Sequence, residues 1–335
     1  MAARLDPVEL AARATNAVQP RFPGASVSNV EQLIGGTSSL TYAADMTVGG
    51  ATSRIVIKAA PPGLEPVRNR DVLRQARLLD LLASVPAVKV PHVLGSDLGA
   101  PVDVPPLFVM TFVPGVSYEP RTAAEEADTP YAEIEARAFT AARMAAALHA
   151  VPTDHPGLAG ERVTDLEMEV GRWTRAFGSV EDDLRVGTQD VNDRLLAAMP
   201  KAIAPSVLHG DWRLGNMQCN GPSVDAVIDW EIWSIGDRRV DLAWMLLMVD
   251  EKHPNKARDG AGLPSVPALI AAYEEAAGLE LEQMSWFAAL VRYKQAAASA
   301  LIIKNNRKVL QPGIDIDRMV TQMPNLLNSA RDLLA

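Results

Sequence analysis

The chain has 335 residues, about twice a common domain length, so it is either two domains or one two-lobed unit and not a single small module. A hydrophobic share of 48% with 22% charged residues excludes wholesale disorder. The net charge of −9, from 32 Lys and Arg against 41 Asp and Glu, disfavours a general nucleic-acid or anionic-membrane binder, because both need clustered positive charge. Cys219 stands alone, which removes internal disulfides and cysteine metal clusters, and the five histidines form no H-x-x-x-H pair. A metal, if used, is expected on oxygen ligands. No apolar run approaches the ~18 residues of a membrane span. The first 22 residues lack a signal-peptide core and carry Asp6 and Glu9, so the expected location is the cytoplasm, free of membrane.

The spacing predicts a helix after Asp6, with Pro7 in its first turn and Leu10, Ala14 and Val18 on one face. Strand-like runs at 26–33, 40–48 and 54–59 then predict an antiparallel meander, followed by a helix bearing Val72, Ala76, Leu79 and Ala83. Two further strands, 93–97 and 107–113, lead to Pro114-Gly115, a natural lobe boundary. Beyond it, helices are expected at 131–150, 165–177, 190–199, 241–249, 267–277 and 284–305, interrupted by β-like pieces between Pro205 and Trp230. The expected domains are therefore residues 1–113 and residues 114–335.

The chemistry concentrates at 207–230. His209-Gly210-Asp211 is followed by Asn216, then by a turn signal, Asn220-Gly221-Pro222-Ser223, and a strand ending at Asp229. A symmetric hairpin about that turn would set Asn216 opposite Asp229, with Cα atoms about 4.5–5.5 Å apart. An amide oxygen and a carboxylate so placed suit Mg²⁺, which keeps several waters and takes one or two protein ligands plus substrate phosphates. Asp211, on the loop before the hairpin, is then placed to accept a hydroxyl proton. Such an arrangement serves phosphoryl transfer.

H-G-D-x-x-x-x-N followed by I-D-W resembles the catalytic segment of the aminoglycoside phosphotransferase-like family, relatives of the protein kinases, and most resembles the branch found fused to some acyl-CoA dehydrogenases. The resemblance continues through Ala147-Leu148-His149, Gly171-Arg172-Trp173 and the run from Ile235 to Trp244. It implies a two-lobed α+β protein-kinase-like fold with a small antiparallel-sheet lobe and a larger helical one. ATP, or GTP, is the implied donor, Mg²⁺ the implied metal and a small-molecule hydroxyl the acceptor. Residue by residue it implies Asp211 as catalytic base and Asn216 and Asp229 as metal ligands. Lys58 and the glycine-rich loop Gly35, Gly36, Thr37, Ser38 and Ser39 would meet the phosphates, with backbone near Met110, Thr111 and Val113 at the adenine. His149, His209, Asp237 and Asp241 are read as braces.

Gln75 occupies the position where the family places a Glu to pair with the strand lysine, so either Glu65 or another acid substitutes, or activity is lowered. The latter keeps a nucleotide-binding pseudokinase or scaffold as an alternative. The late helix carries Arg292, Lys294, Lys304, Arg307 and Lys308 without an acid between Glu282 and Asp315. A basic wall of that kind favours an anionic acceptor, such as a hydroxy acid or hydroxyacyl-CoA, with Arg213, Tyr293 and Lys304 as candidate contacts. The acidic stretch from Glu119 to Glu135 supports the other alternative, an aminoglycoside resistance enzyme.

Overall fold

Alternation along residues 54–59 decides how the first third of the chain packs. The computed structural model describes residues 5–33, 39–117, 119–120, 129–254, 262–308 and 315–335. It opens with α1 (Pro7–Val18), where the Asp6 carboxylate accepts a hydrogen bond from the Val8 amide. Strands β1 (Ser26–Gln32), β2 (Leu40–Val48) and β3 (Ala51–Ala59) form the expected antiparallel meander. After α2 (Val72–Leu82), β4 (Val93–Asp97) and β5 (Leu107–Thr111) complete a five-stranded sheet in the order β1-β2-β3-β5-β4. Ile55 and Ile57 of β3 pack with Leu10, Ala14 and Val18 of α1, whereas Val56 lies in the core that holds Val72, Ala76 and Leu79 of α2. Side chains alternate along a strand, so Lys58 shares the face of Val56 and is aimed away from α1.

The chain then becomes mainly helical through α3 (Tyr131–His149), α4 (Leu166–Phe177) and α5 (Thr188–Ala197). Short strands interrupt it. β6 (Val163–Thr164) runs parallel to β10 (Ser234–Gly236), and β10 also pairs antiparallel with β7 (Ser206–Leu208). β8 (Met217–Asn220) and β9 (Ser223–Val227) form the hairpin anticipated at the Asn220-Gly221 turn. Helices α6 (Arg238–Val249), α7 (Val266–Ala277), α8 (Met284–Lys308) and α9 (Ile316–Leu333) complete the larger half. Residues 239–249 of α6 are all buried, which makes it the central helix.

Among the described residues the helices depart from expectation most clearly in α6, α8 and α9. α6 starts at Arg238 because Asp237 caps it, its carboxylate accepting from the Arg239 amide. α8 runs three residues further, to Lys308. α9 was not anticipated. Pro324 lies inside it and breaks the helical signal, yet Met323, Leu326, Leu327 and Ala330 bury against Phe287, Leu290 and Val291 of α8.

The chain crosses from one half to the other at residues 112–116. Val116 exchanges two backbone hydrogen bonds with Cys219 of β8, each 2.9 Å. Gly115, at φ 148°, comes so close to that strand that a β-carbon would lie 2.8 Å from the Cys219 carbonyl oxygen.

Candidate active site

β7 delivers the chain to His209-Gly210-Asp211. Gly210 sits at φ 87°, and a β-carbon there would stand 2.6 Å from the Ile232 carbonyl oxygen. Asp241, buried in the first turn of α6, braces this turn by accepting from the His209 amide at 2.6 Å and the Gly210 amide at 2.8 Å. Burial opposes its charge, but His149, 3.5 Å away, with His209 and its amide, holds the Asp241 carboxyl below the usual range. His149 is oriented in turn by the Tyr273 hydroxyl at 2.8 Å. The His209 ring accepts from the Asp211 amide through Nδ1 at 3.1 Å and bonds the Ile228 carbonyl through Nε2 at 2.9 Å.

Asp211 is surrounded by donors. Trp244 Nε1 donates to Oδ1 at 2.6 Å, Asn216 Nδ2 to Oδ2 at 2.7 Å, and Arg213 Nε reaches both oxygens at 3.1 and 3.2 Å. Burial works against the carboxylate, yet Arg213, Lys294 and His209 overcome it, and the group lies below the ordinary Asp range. Lys294 is itself buried, donating to the Gly210 carbonyl at 2.5 Å and lying 4.2 Å from the centre of the Trp244 ring. Burial lowers its ammonium pKa. Glu119 closes the other side, accepting from the Gly215 amide at 3.1 Å, with Arg213 Nη1 at 3.6 Å. Its carboxyl is pushed up to about 7, chiefly by burial.

The hairpin differs from its expected symmetry. Met217 pairs with Val227 and Gln218 with Ala226, but a register shift then sets Cys219 opposite Val224. The Asn216 carbonyl accepts from the Ile228 amide, so Asn216 faces Ile228 and Asp229 lies one residue beyond. The backbone there turns left-handed, at φ 66° and ψ 52°, a conformation uncommon outside glycine and tolerated best by Asn and Asp. After that turn the half-exposed Asp229 carboxylate meets Lys58 Nζ at 3.4 Å. Asn216 has its amide nitrogen committed to Asp211, which leaves the amide oxygen for a cation. An amide oxygen and a carboxylate on one wall are a donor set that fits a hard divalent ion.

Asn216, Asp229 and Lys58 line a cavity of about 290 Å³ with Ser39, Val56, Met110, Thr111, Phe112, Val113 and Gln218. Of the anticipated nucleotide contacts, Ser39, Lys58, Met110, Thr111 and Val113 are thus brought together. Gly35, Gly36, Thr37 and Ser38 lie outside the described residues.

The acceptor contacts read from the late helix are distributed differently. Arg213 is at the site, but Tyr293 is in the helical core, its hydroxyl 3.2 Å from Thr174 Oγ1 and its ring 5.1 Å from Phe177. Lys304 donates to the Ser179 carbonyl, Arg292 pairs with Asp250 at 3.0 Å and Arg307 with Asp183 at 2.7 Å. Two members of the basic run, Arg292 and Arg307, are thus paired with acids, and Lys294 is its member beside Asp211. Trp244 and Glu119, which in the sequence stand out only as the end of a family run and the start of an acidic stretch, both touch the groups around Asp211. Trp244 stands three residues after Asp241, one helical turn along the same face, and that spacing could have identified it.

A profile of the phosphotransferase enzyme family matches residues 29–290. The chain is 25% identical over 201 residues to mouse (Mus musculus) acyl-CoA dehydrogenase family member 10, covering 59% of this chain and 18% of that protein. It is 28% identical over 142 residues to the human (Homo sapiens) family member 11, covering 38% and 18%. The matched segment thus spans under a fifth of either relative, in keeping with the branch resemblance seen in the sequence. Among solved structures, a candidate aminoglycoside phosphotransferase from Ralstonia eutropha superposes with a TM-score of 0.77 at 22% identity, covering 98% of this chain and 99% of that one. The amicoumacin kinase hAmiN, bound to AMP-PNP and Ca²⁺, gives 0.62 at 13% identity, covering 97% and 92%. The aminoglycoside phosphotransferase APH(4)-Ia, in a ternary complex with ADP and hygromycin B, gives 0.59 at 16%, covering 93% and 96%. These likenesses establish the kinase-like α+β fold. With most of its length matched by the profile, and with the motif order that implied an alcohol-directed phosphotransferase, the chain belongs to the phosphotransferase enzyme family.

Proposed function

We propose that this protein moves the γ-phosphoryl group of ATP to a hydroxyl of a small anionic molecule, a hydroxy acid or hydroxyacyl-CoA. The observation that carries the reading is convergence: Lys58, Asn216 and Asp229 line one cavity, and the Asp211 carboxylate adjoins it through Asn216. Residues 1–113 supply its nucleotide side and residues 114–335 its acceptor side.

In this mechanism Lys58 and Ser39 bind the donor phosphates, and the β5-to-hinge backbone from Met110 to Val113 meets the base. Asn216 and Asp229 would hold Mg²⁺, which when bound neutralises charge on the phosphates. Asp211 accepts a hydrogen bond from the acceptor hydroxyl and so orients its oxygen. The new P–O bond forms as the bond from the γ-phosphorus to the β–γ bridging oxygen breaks. The hydroxyl proton goes to Asp211 and then to water, and ADP leaves. Trp244, Arg213 and Asn216 hold the base in one orientation, which is where positioning contributes to rate.

The anionic acceptor rests on the cations gathered at Asp211. Arg213 and Lys294 lie beside it, and Arg172 lines a small cavity with Gly210 and Lys294. Glu169 and Asp237 line that same cavity, so net charge does not by itself repel a polycationic aminoglycoside, and the acceptor screen separates the two classes. The test is ADP release across hydroxy acids, hydroxyacyl-CoAs, sugars and aminoglycosides, with Asp211→Ala as control. Turnover confined to anionic hydroxyl compounds is expected, and abolished in the variant while ADP still binds. Preferred turnover of aminoglycosides would overturn the acceptor class. Nucleotide binding without turnover anywhere would favour a scaffold.

A further inference from the structure

Arg74, on α2, reaches across to the larger half of the chain. Its Nε and Nη2 donate to both oxygens of Glu161 at 2.8 to 3.0 Å, and Nη1 and Nη2 donate to the Trp233 carbonyl at 3.0 Å. The guanidinium carbon stands 3.7 Å from the centre of the Trp233 ring. Both charged side chains are mostly buried, at 17% and 19% exposure, so water screens the pair poorly. A planar fork of donors that also stacks is a geometry lysine does not reproduce.

Strand register explains what this grip controls. Parallel pairing sets Ile235 beside Val163, which puts Trp233 level with Glu161 at the start of β10 and β6. Antiparallel pairing sets Ser234 opposite Leu208, which puts Trp233 level with His209. The gripped carbonyl therefore lies between the two halves of the site, two residues in register from Asp211 and four along the chain from Asp229. Gly210 packs on the neighbouring Ile232 carbonyl, so a shift of this segment would move the catalytic loop. One position along α2, Gln75 is buried with its amide nitrogen unpartnered, and Lys58 pairs with Asp229 instead.

We infer that Arg74 is a positioning residue for phosphoryl transfer. By clamping α2 to Glu161 and Trp233 it fixes Asp229 and the Asp211 loop relative to the sheet that carries Lys58, and this clamp takes the place of a lysine-to-acid pair at Gln75. The inference rests on the phosphoryl-transfer reading of the cleft and adds the residue that aligns it.

Arg74→Lys and Arg74→Ala are compared with wild type by ADP-release kinetics, calorimetric affinity for ADP with Mg²⁺, and amide hydrogen exchange over residues 229–236. In Arg74→Lys, kcat is expected to fall by about tenfold or more, with the KM for ATP and the affinity for ADP within about threefold of wild type. The amides of residues 230–233 are expected to exchange faster, and adding Gln75→Glu to Arg74→Ala leaves kcat depressed. Wild-type kcat in Arg74→Lys, unchanged exchange at residues 230–233, or recovery of kcat through Gln75→Glu would each overturn the inference. If wild type turns over no acceptor at all, the phosphotransfer reading fails. Exchange then decides the clamp separately: faster exchange upholds the grip, and unchanged exchange removes it.

Discussion

The Trp244 indole donates to Asp211 Oδ1 across 2.6 Å, and the same ring lies 4.2 Å from the ammonium of Lys294. One side chain thus orients the Asp211 carboxylate and carries a buried cation next to it. Hydrogen bonds to charged groups contribute about 1.5–3 kcal/mol. Trp244→Phe keeps a ring but removes the donor, so kcat is expected to fall roughly ten- to hundredfold. The KM for ATP should stay near wild type, because Trp244 does not line the nucleotide cavity. An unchanged kcat would show that Asn216 and Arg213 suffice.

Asp229 is the carboxylate within reach of both Lys58 and a cation in the cleft. Asp229→Ala is expected to remove most of the dependence of ADP affinity on Mg²⁺, while metal-free ADP still binds through Lys58. Calorimetry with and without the metal measures this. Full retention of the Mg²⁺ effect would take Asp229 out of the ligand set.

Glu119 sets a stability window of its own. Its carboxyl is raised from 4.5 to about 7, mainly by burial. The folded chain therefore holds a proton that the unfolded chain releases at lower pH. Stability from this group is full below about pH 4.5 and is lost as pH rises toward about 7, on the order of 3 kcal/mol in all. Glu119→Gln should lack that loss. Urea unfolding at about pH 5 and pH 8 should show the variant gaining on wild type as pH rises. A constant difference would mean that Glu119 is already ionised at the lower pH.

Asp241 behaves in the opposite sense. Its carboxyl is depressed, so its contribution is present above the ordinary Asp range and lost as pH falls through the lowered value. Asp241→Asn removes the carboxylate that accepts from the His209 and Gly210 amides, at an expected cost of about 1.5–3 kcal/mol at neutral pH. The gap to wild type should narrow only in strong acid. A near-neutral effect on unfolding would mean that an amide oxygen braces the loop as well as a carboxylate does.

Much of the fold was legible because its signals are local. Asp6 and Pro7 start α1, alternation marks Ile55 to Lys58, and Asn220-Gly221 turns the hairpin. The site was legible where chain order carries the chemistry, from His209 to Asp229. Less legible were details set by packing. A bulge in the hairpin and a left-handed turn at Asp229 set Asn216 opposite Ile228, one residue from the symmetric pairing with Asp229. Periodicity placed Tyr293 and Lys304 on one stripe, but that stripe faces Phe177 and Ser179 and not Asp211. Trp244 and Lys294 reach the surroundings of Asp211 from α6 and α8, and Arg74 of α2 reaches Glu161 and Trp233, contacts separated by many residues that no short motif encodes. Pro324 concealed α9 by suppressing the helical pattern in a segment whose stability comes from tertiary packing.

The two backbone bonds between Val116 and Cys219 have a mechanical consequence. On the sheet side, Thr111 is tied to His92 by its amide, at 2.9 Å, and by its hydroxyl, at 3.0 Å. Between these ties run only Phe112, Val113, Pro114 and Gly115. Those four residues form the covalent link between the ties, and proline already fixes one of their torsions. Phe112 and Val113 also line the cavity shared by Lys58, Asn216 and Asp229. The covalent joint between the two halves is therefore also a wall of that cavity, so a ligand seated against it would stiffen the joint.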